Sequence, residues 1–295
     1  MIPRARSFPW LRMFPKDGTV AGRLLRTPRA VFGLVVLLLV GFGAAFPGWV
    51  MPYASEDMDF ENLLSGATLL HPLGTDQLGR DTLSRLILGS QVALQVSLGA
   101  VGLGLLVGVP LGLVSVTLGG WVDDVIMRMM DAIVVFPALL VAVALAAAMG
   151  NSLGTVIVAI GIANVPWLAR ITRSQALTVR ALDFVAAAEA AGTSRIKVML
   201  HHILPNAIAP VIVQATLGMG YAVLAEAALG FIGVGVTPPT PTWGNMLQAA
   251  FPFLETQPLL SVAPGVAIFL LVLAFNLLGD ALRDILDPRL RGVVR

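Results

Sequence analysis

The residues of this 295-residue chain that could support acid–base or metal chemistry are its three histidines and 17 carboxylates. The histidines do not form the helically spaced pair of a zinc protease, and the chain has no Walker-type glycine loop to hold a nucleotide. Asp123 and Asp124 are adjacent, so they would point to different faces of a helix. The absence of cysteine excludes disulfides, thiolate nucleophiles and thiolate metal sites. We therefore expect a non-catalytic chain with no catalytic, cofactor-binding or metal-binding residues.

Glu226 is the one clear ionisable residue inside the apolar segments of the chain. A carboxylate within a membrane-spanning segment is by default a candidate functional residue. It lies near the outer end of the fifth apolar segment, and two roles are open: a structural hydrogen bond, or a place in the lining of a gate or pathway. A proton-coupled carrier would be expected to have acidic residues deep in several segments, so the sequence disfavours secondary transport.

The composition indicates which elements must position these residues. Hydrophobic residues make up 57% of the chain and charged residues 12%, against about 25% charged residues in a soluble domain. Since a span needs about 20 apolar residues, we expect an all-α, polytopic membrane helical bundle with about six transmembrane helices. Gly104, Gly108 and Gly112 share one face of the second span and predict close helix packing. The predicted spans are Ala30–Trp49, Val92–Leu118, Ala132–Met149, Leu153–Ile171, Ala207–Ala228 and Ser261–Leu278.

The distribution of Lys and Arg predicts the orientation of the bundle. Basic residues are concentrated before the first span, between the fourth and fifth spans, and after the sixth. Residues 51–91 contain only two basic residues, Arg80 and Arg85, and residues 233–260 contain no Lys or Arg. We therefore expect both termini to be cytoplasmic and both of these loops to face outward. The first apolar segment is too long for the core of a cleaved signal peptide, which is usually about 7–15 residues.

Leu182–Asn206 is a predicted cytoplasmic segment that is too polar to span the membrane and too apolar for a free tail. Its sequence predicts two short helices joined at Gly192, with Thr193 or Ser194 capping the second helix. Pro205 would begin the next span. The segment is either a docking element for a cytoplasmic partner or a loop packed on its own bundle. One face of its first helix would be formed by Phe184, Ala187, Ala188 and Ala191.

The same segment resembles the loop motif of binding-protein-dependent ABC importer permeases, which reads E-A-A, three residues, Gly, nine residues, Ile, one residue, Leu-Pro. Anchored on Gly192 and Pro205, the motif begins at Ala186, where the family has Glu, and its isoleucine position is His202. The literal Glu-Ala-Ala string three residues later is not the motif, because a glycine follows it without the spacer. The resemblance implies an ATPase-coupling loop that contains Ala186, Ala187, Ala188, Gly192, Thr193, Ser194, Leu204 and Pro205.

Four further stretches resemble the peptide and nickel importer permeases, specifically the second, C-type subunit of the pair. They are His71–Asp81, Gly120–Pro137, Leu229–Leu247 and Asn276–Arg291. The first of them is an outer-loop signature, for which a structural role in turns is favoured over contact with solute. Asp123, Arg128 and Asp131 in the second stretch are expected to solvate a short cytoplasmic loop, and Trp243 in the third to anchor at the outer interface. The signature residues are His71, Gly74, Asp76, Gly79, Arg80 and Asp81.

The resemblance implies the type I ABC importer permease fold, with this chain forming half of a translocation pathway for di- or oligopeptides. It also implies a second, B-type permease subunit, an extracytoplasmic solute-binding protein, and two ATPase subunits that bind ATP and Mg. The chain would reside in a bacterial cytoplasmic (inner) membrane, in contact with lipid and without nucleic acid. A permease for nickel or another small solute is the alternative, and a secondary carrier, a channel or a membrane enzyme is less favoured.

On this interpretation the chain divides into four parts. Residues 1–29 would be a cytoplasmic tail, and residues 30–91 the first span and outer loop. Residues 92–282 would be the core permease domain, with five spans and the coupling loop at about residues 182–206. Residues 283–295 would be a cytoplasmic C-terminal tail.

Overall fold

The structure, a computed structural model, describes residues 20–286, so most of both predicted tails lies outside the described residues. Its regular elements in this range are helices, which confirms the predicted all-α class. The helices are α1 (Val20–Leu24), α2 (Pro28–Ala45), α3 (Pro47–Val50), α4 (Thr82–Leu118), α5 (Gly120–Val135), α6 (Ala138–Met149), α7 (Leu153–Arg180), α8 (Asp183–Ala190), α9 (Arg195–Val198), α10 (Leu204–Phe231), α11 (Trp243–Ala250) and α12 (Leu259–Leu286). A π-helical turn, Met199–Ile203, joins α9 to α10, and a short 3₁₀ turn, Phe251–Phe253, follows α11.

Five helical runs are long and apolar enough to cross a membrane, and they coincide with five of the six predicted spans. They are α2, α4, α7, α12 and the run from α9 through α10. The predicted third span is not one straight helix, because α5 and α6 meet at an angle of 85°. The two helices together would make the sixth span.

The bend between α5 and α6 has a local cause at Phe136 and Pro137. The proline ring disfavours the α conformation in the residue before it. Phe136 accordingly has extended backbone angles, with φ −80° and ψ 126°. The apolar run that predicted a single span therefore continues through a break in the helix.

The centre of the bundle is the contact between α4 and α7. Three glycines of α4 face α7, as their four-residue spacing predicts. A Cβ atom on Gly108 would lie 2.8 Å from the carbonyl oxygen of Val165, and one on Gly112 would lie 2.5 Å from that of Ala169. The two backbones approach so closely that side chains are excluded from this face.

The remaining long helices pack around this centre and leave two distinct ends. Leu271 and Phe275 of α12 are buried against α10 and α11, and Ala30 of α2 is buried against α12. At one end, which we call the capped end, residues 51–81 and 232–258 fold over the bundle. At the other end α8, α9 and the π turn connect α7 to α10.

Candidate functional site: the α8–α9 segment and the capped end

The α8–α9 segment, residues 183–203, contains two short helices joined by a tight turn. The helix α8 ends at Ala190, and Gly192 has φ +78°, the left-handed conformation that glycine adopts without strain. The backbone N–H groups of Gly192 and Thr193 donate hydrogen bonds to the carbonyls of Glu189 and Ala188, at 2.9 and 3.2 Å. The turn at Gly192 predicted from sequence is thus present in the structure. Ser194 is the N-cap residue of α9, but its side chain makes no capping hydrogen bond.

The inner face of the segment is anchored in a core at this end of the bundle. Val185, Val198 and Ile203 are buried. They pack with residues near the C-terminal ends of α4 and α7, namely Leu113, Val116, Ala176 and Val179. The helix ends and the segment therefore share one core.

The outer face of the segment is apolar and exposed. Phe184, Ile196 and Leu200 have exposed fractions of 43%, 65% and 45%. Phe184, Ala187 and Ala191 of the predicted helical face lie on this outer side, whereas Val185 turns inward. The helix α8 is oriented by the burial of Val185 and the partial burial of Ala188, three residues apart on one face.

The other predicted coupling-loop positions flank this face. Ala186 is exposed, like Ala187 and Gly192, while Thr193 is half-buried. Leu204 and Pro205 form the first turn of α10, the favourable place for proline that the sequence indicates. All of the predicted coupling-loop residues therefore lie in one compact segment between α7 and α10.

The capped end is organised by an acid–histidine pair whose two residues belong to the predicted outer-loop signature. Asp81 is the N-cap of α4, and its Oδ2 accepts a hydrogen bond from the Ser84 N–H at 2.7 Å. Its Oδ1 lies 2.9 Å from Nδ1 of His71, and both side chains are buried. Asp59 lies 3.9 Å from the other ring nitrogen of His71. The hydrogen bond that the Asn62 side chain donates to Asp59 holds the pKa of this carboxyl below its usual value.

The remaining signature residues form a second polar cluster at the capped end. Both Nε and Nη2 of Arg80 lie 2.7 Å from Oδ2 of Asp76. The N–H of Gly79 donates to the carbonyl of Asp76 at 2.9 Å, and that of Gly74 donates to His71 at 2.9 Å. The six signature residues thus form turns and ion pairs within residues 71–81. Arg80 pairs with Asp76 and not with its neighbour Asp81, which is bound to His71.

Glu226 is enclosed where α10 meets the capped end. Its side chain is 1% exposed, and Oε1 has no hydrogen-bond partner among the described residues. Glu226 therefore lies behind the start of α11 and not on an open surface of the chain.

Trp243 differs from the prediction of an interfacial anchor. It is 2% exposed, and its indole Nε1–H donates to the Leu86 carbonyl at 2.9 Å. Gly89 leaves room for the indole, because a Cβ atom there would lie 2.9 Å from Cδ1 of Trp243. Trp243 therefore ties α11 to the first turns of α4, and it does not lie at a lipid–water interface.

Two ion pairs connect α5 to α7, and sequence reasoning missed both. Asp123 accepts from Nε and Nη2 of Arg173 at 2.6 and 2.5 Å, and Asp131 accepts from Arg170 at 2.7 Å. Asp123 and Asp131 therefore lie on a helix and not on the predicted solvated loop. The sequence signal for this pairing is two acidic residues eight apart on α5 and two arginines three apart on α7. This signal can be recognised only once the two helices are known to pack together.

The bidentate pair Asp123–Arg173 is expected to stabilise the attachment of α5 to α7. A double-mutant cycle with Asp123→Asn and Arg173→Gln should give a coupling free energy of about 1.5–3 kcal/mol, the range for hydrogen bonds to charged groups. The measurement is equilibrium unfolding of the detergent-purified subunit. The pair Arg29–Asp284, exposed and 3.3 Å apart, is the control and should couple by less than about 1 kcal/mol. Equal coupling in the two cycles would contradict this assignment.

Residues 20–286 contain no cluster of three or more His, Asp or Glu side chains arranged to hold a metal ion. The groups that the structure does assemble are an exposed apolar face at one end of the bundle and a buried polar network at the other. Such an arrangement suits contact with other chains and mechanical linkage between the ends.

Comparison with protein families shows two matches. Residues 100–292 match the family described as binding-protein-dependent transport system inner membrane component. Residues 19–72 match the N-terminal TM domain of oligopeptide transport permease C. The first match covers the α4–α12 bundle apart from the N-terminal half of α4, and the second covers α1 to α3 and most of the loop that follows.

Curated relatives are similar over almost the whole chain. The dipeptide transport system permease protein DppC of Alkalihalophilus pseudofirmus is 39% identical over 284 residues, which are 96% of this chain and 91% of that protein. The glutathione transport system permease protein GsiD of Escherichia coli O157:H7 is 39% identical over 271 residues, 92% of this chain and 89% of that protein.

A solved structure has the same fold. A chain of the MetNI methionine ABC transporter in an inward-facing conformation matches with a TM-score of 0.57 and 18% sequence identity. The match covers 72% of this chain and 97% of that chain. At this identity the likeness concerns the fold, and it agrees with the type I permease architecture expected from sequence.

Proposed function

Because the chain belongs to the family of binding-protein-dependent transport system inner membrane components, we propose that it is the C-type permease subunit of an ATP-driven importer of di- or oligopeptides. The observation that carries this proposal is the 39% identity to a dipeptide permease across 96% of the chain. The second relative transports glutathione, which is itself a tripeptide, and this favours peptides over nickel or another small solute.

The α8–α9 segment is the proposed contact with the ATPase subunits. Its outer face exposes Phe184, Ile196 and Leu200, beside the basic residues Arg195 and Lys197. An exposed apolar cluster rimmed by charge is typical of a protein–protein interface. The coupling-loop residues Ala186 to Ser194 would form the most exposed part of this face. Leu204 and Pro205, the first residues of α10, would join it to the span. Ala186 removes the carboxylate that relatives with Glu would place there, so contact at this position would be apolar.

Coupling in this proposal is mechanical. ATP and Mg would be bound and ATP hydrolysed in two partner ATPases, so this chain would supply only half of the pathway and the linkage. Val185, Val198 and Ile203 join the α8–α9 segment to the ends of α4 and α7 in one core. Because packed cores move as units, displacement of the segment would move these helices as a rigid body and reorient the pathway.

The remaining partners follow from the same proposal. A B-type permease subunit would complete the pathway, and an extracytoplasmic solute-binding protein would deliver peptides to the capped end. The chain would be a multi-pass protein of a bacterial cytoplasmic (inner) membrane, with both termini cytoplasmic and with lipid around its apolar helices. Nucleic acid has no place in this assembly. The outer-loop signature from His71 to Asp81 would hold the cap rigid, since its polar groups are bonded to one another.

Glu226, near the C-terminal end of α10, would help to hold the capped end closed. Its complete burial favours a structural role over an open gate lining in the conformation described. In a conformation with α11 displaced, the same carboxyl would be uncovered and would line the outer part of the pathway.

Purification and transport assays test the proposed function together. A tagged chain expressed in its native organism should co-purify with two ATPase subunits and a second permease subunit. Uptake of a radiolabelled dipeptide should stop when ATP is depleted, and it should persist when the ion gradient alone is dissipated. Uptake that survives ATP depletion but fails without the gradient, with no ATPase recovered, would overturn the proposal and favour a secondary carrier.

A further inference from the structure

A small cavity at the capped end has a lining that is half polar, with two arginines and one aspartate, and half apolar. It measures about 30 Å³ and lies between the 71–81 turn, the first turn of α4, and the α11–α12 connection. A cavity needs roughly 10–15 Å³ to hold one water molecule, so this one has room for a group of two or three heavy atoms. Its lining residues are Asp76, Gln77, Arg80, Thr82, Arg85, Met246, Ala249, Ala250, Phe253 and Leu260.

The polar half contains two buried guanidinium groups that share one carboxylate. Arg80 and Arg85 are 8% and 5% exposed. Asp76 is already engaged by Arg80 and by two backbone N–H groups, those of Leu78 and Arg80, at 2.8 and 3.0 Å. Asp76 therefore has little remaining capacity to accept hydrogen bonds from Arg85.

Arg85 is poorly satisfied for a buried charge. Its contacts with described residues are a 3.3 Å hydrogen bond from Nη1 to the Ser55 carbonyl and a 3.6 Å approach of Nε to Asp76. Charge-assisted hydrogen bonds of arginine are normally about 2.7–2.9 Å long, and a guanidinium has five N–H donors. The nearby carboxylate of Glu56 is exposed and acts on Arg85 only at a distance. Arg85 thus lines the cavity and has more N–H donors than these two contacts use.

The hydroxyl of Thr82 is an independent sign of a missing ligand. Thr82 is 2% exposed and lines the same cavity, and its Oγ1 has no hydrogen-bond partner among residues 20–286. A buried polar group without a partner destabilises the fold, so such groups are rare and need an explanation. Thr82, with its unpartnered hydroxyl, and Arg85, with its long contacts, thus line a single cavity.

We propose that this cavity binds one carboxylate group of a small solute, with Arg85 and Thr82 as its hydrogen-bond donors and Arg80 contributing positive charge. A guanidinium matches the planar geometry of a carboxylate and binds it through two parallel hydrogen bonds. The other side of the lining, which includes Met246, Phe253 and Leu260, is apolar and offers no competing polar group. A cation is disfavoured by the two arginines, and a neutral amide cannot accept hydrogen bonds at both of its heavy atoms.

The site would give the capped end an affinity for free carboxylates that does not depend on ATP. If the chain imports peptides, as proposed above, the group bound would be the solute's carboxylate at first contact with the permease. This consequence rests on the proposed function, but binding itself does not. It is therefore tested by a binding measurement, whose result is separable from that of a transport assay.

The test uses the whole importer complex in lipid nanodiscs without ATP, with acetate and its neutral isostere acetamide as probes. Saturation-transfer NMR should show saturable binding of acetate, with a dissociation constant of about 1 mM or weaker, and no saturable binding of acetamide. Arg85→Gln should weaken acetate binding by more than about tenfold, and Thr82→Val by about two- to tenfold, as expected for loss of one hydrogen bond.

Two controls keep the result interpretable. Thr82→Val alters no charge, so it tests the site even if Arg85→Gln proves unstable. Thr216→Val on α10 is the matched substitution, because its hydroxyl is exposed and bonded to Ile212. It should bind acetate as the natural chain does. Equal signals from acetate and acetamide, or equal acetate affinity in the two threonine variants, would overturn the proposal.

Discussion

An importer that carries Gly192→Val is expected to lose peptide uptake by about tenfold or more, while the altered subunit still inserts into the membrane. Gly192 has φ +78°, and a β-branched residue is a severe outlier in this region. The left-handed conformation costs roughly 1–2 kcal/mol for an ordinary residue and more for valine. The chain would relieve this strain by rearranging the turn, which breaks the hydrogen bonds from Gly192 and Thr193 to α8.

The loss should come from the backbone and not from a clash. No heavy atom lies within 4 Å of a Cβ atom placed at Gly192, so the added side chain meets only open space. A rearranged turn would change the relative orientation of Phe184 on α8 and Ile196 on α9. These side chains form the face proposed to contact the ATPase, so coupling is the property that the substitution should impair.

Gly192→Asn is the matched control, since asparagine enters the left-handed region far more readily than valine. It should retain most of the uptake. Membrane insertion is measured by quantifying the subunit in isolated membranes, and coupling by comparing dipeptide uptake with recovery of the ATPase on the tagged chain. Normal uptake by the valine variant would contradict the assigned role of the turn. Equal loss in both variants would show that the position requires glycine for contact and not for conformation.

The spans and the family were predictable because both depend on local patterns. Apolar runs identify helices that a bilayer requires, and the motif from Ala186 to Pro205 is short and continuous in sequence. The family assignment is confirmed by matches over most of the chain. The turn at Gly192 was also predictable, since it depends on the conformational preference of a single residue.

The extent of α4 was not predicted, because hydropathy does not detect a polar first turn. The helix begins at Thr82 and not at Val92. Its first residues include Ser84 and Arg85, which are polar but buried under the cap. The spacing of Asp81 and Ser84 is a capping signal that would have placed the helix start correctly.

Tertiary contacts account for the remaining errors. Trp243 looks like an interfacial residue until Gly89 opens a space for it on α4. Asp123 looks solvated until Arg173 approaches from α7. In each case the deciding partner is tens of residues or more away in sequence.

Gly112→Leu is expected to destabilise the subunit more than any other single change discussed above, because it separates the two central helices. A Cβ atom at this position would lie 2.5 Å from the Ala169 carbonyl oxygen and 2.8 Å from the Thr172 Cβ. The first of these atoms belongs to the α7 backbone, which cannot move aside as a flexible side chain can. Overpacking of a core costs about 1–3 kcal/mol, and a leucine at a backbone contact should reach or exceed the upper value. Displacement of α7 would also carry Arg173 away from Asp123.

Gly102→Leu on the same helix is the matched control, because no heavy atom lies within 4 Å of a Cβ atom there. Both changes add the same side chain to α4, so any difference between them reports the contact with α7. The thermal unfolding midpoint of each detergent-purified subunit gives the comparison, with the yield of folded protein as a second measure. The Gly112 variant should unfold at a clearly lower temperature, and the Gly102 variant within a few degrees of the natural chain. If the two midpoints coincide, α4 and α7 do not pack as closely as the structure places them, because a close contact at Gly112 admits no leucine without separating the helices.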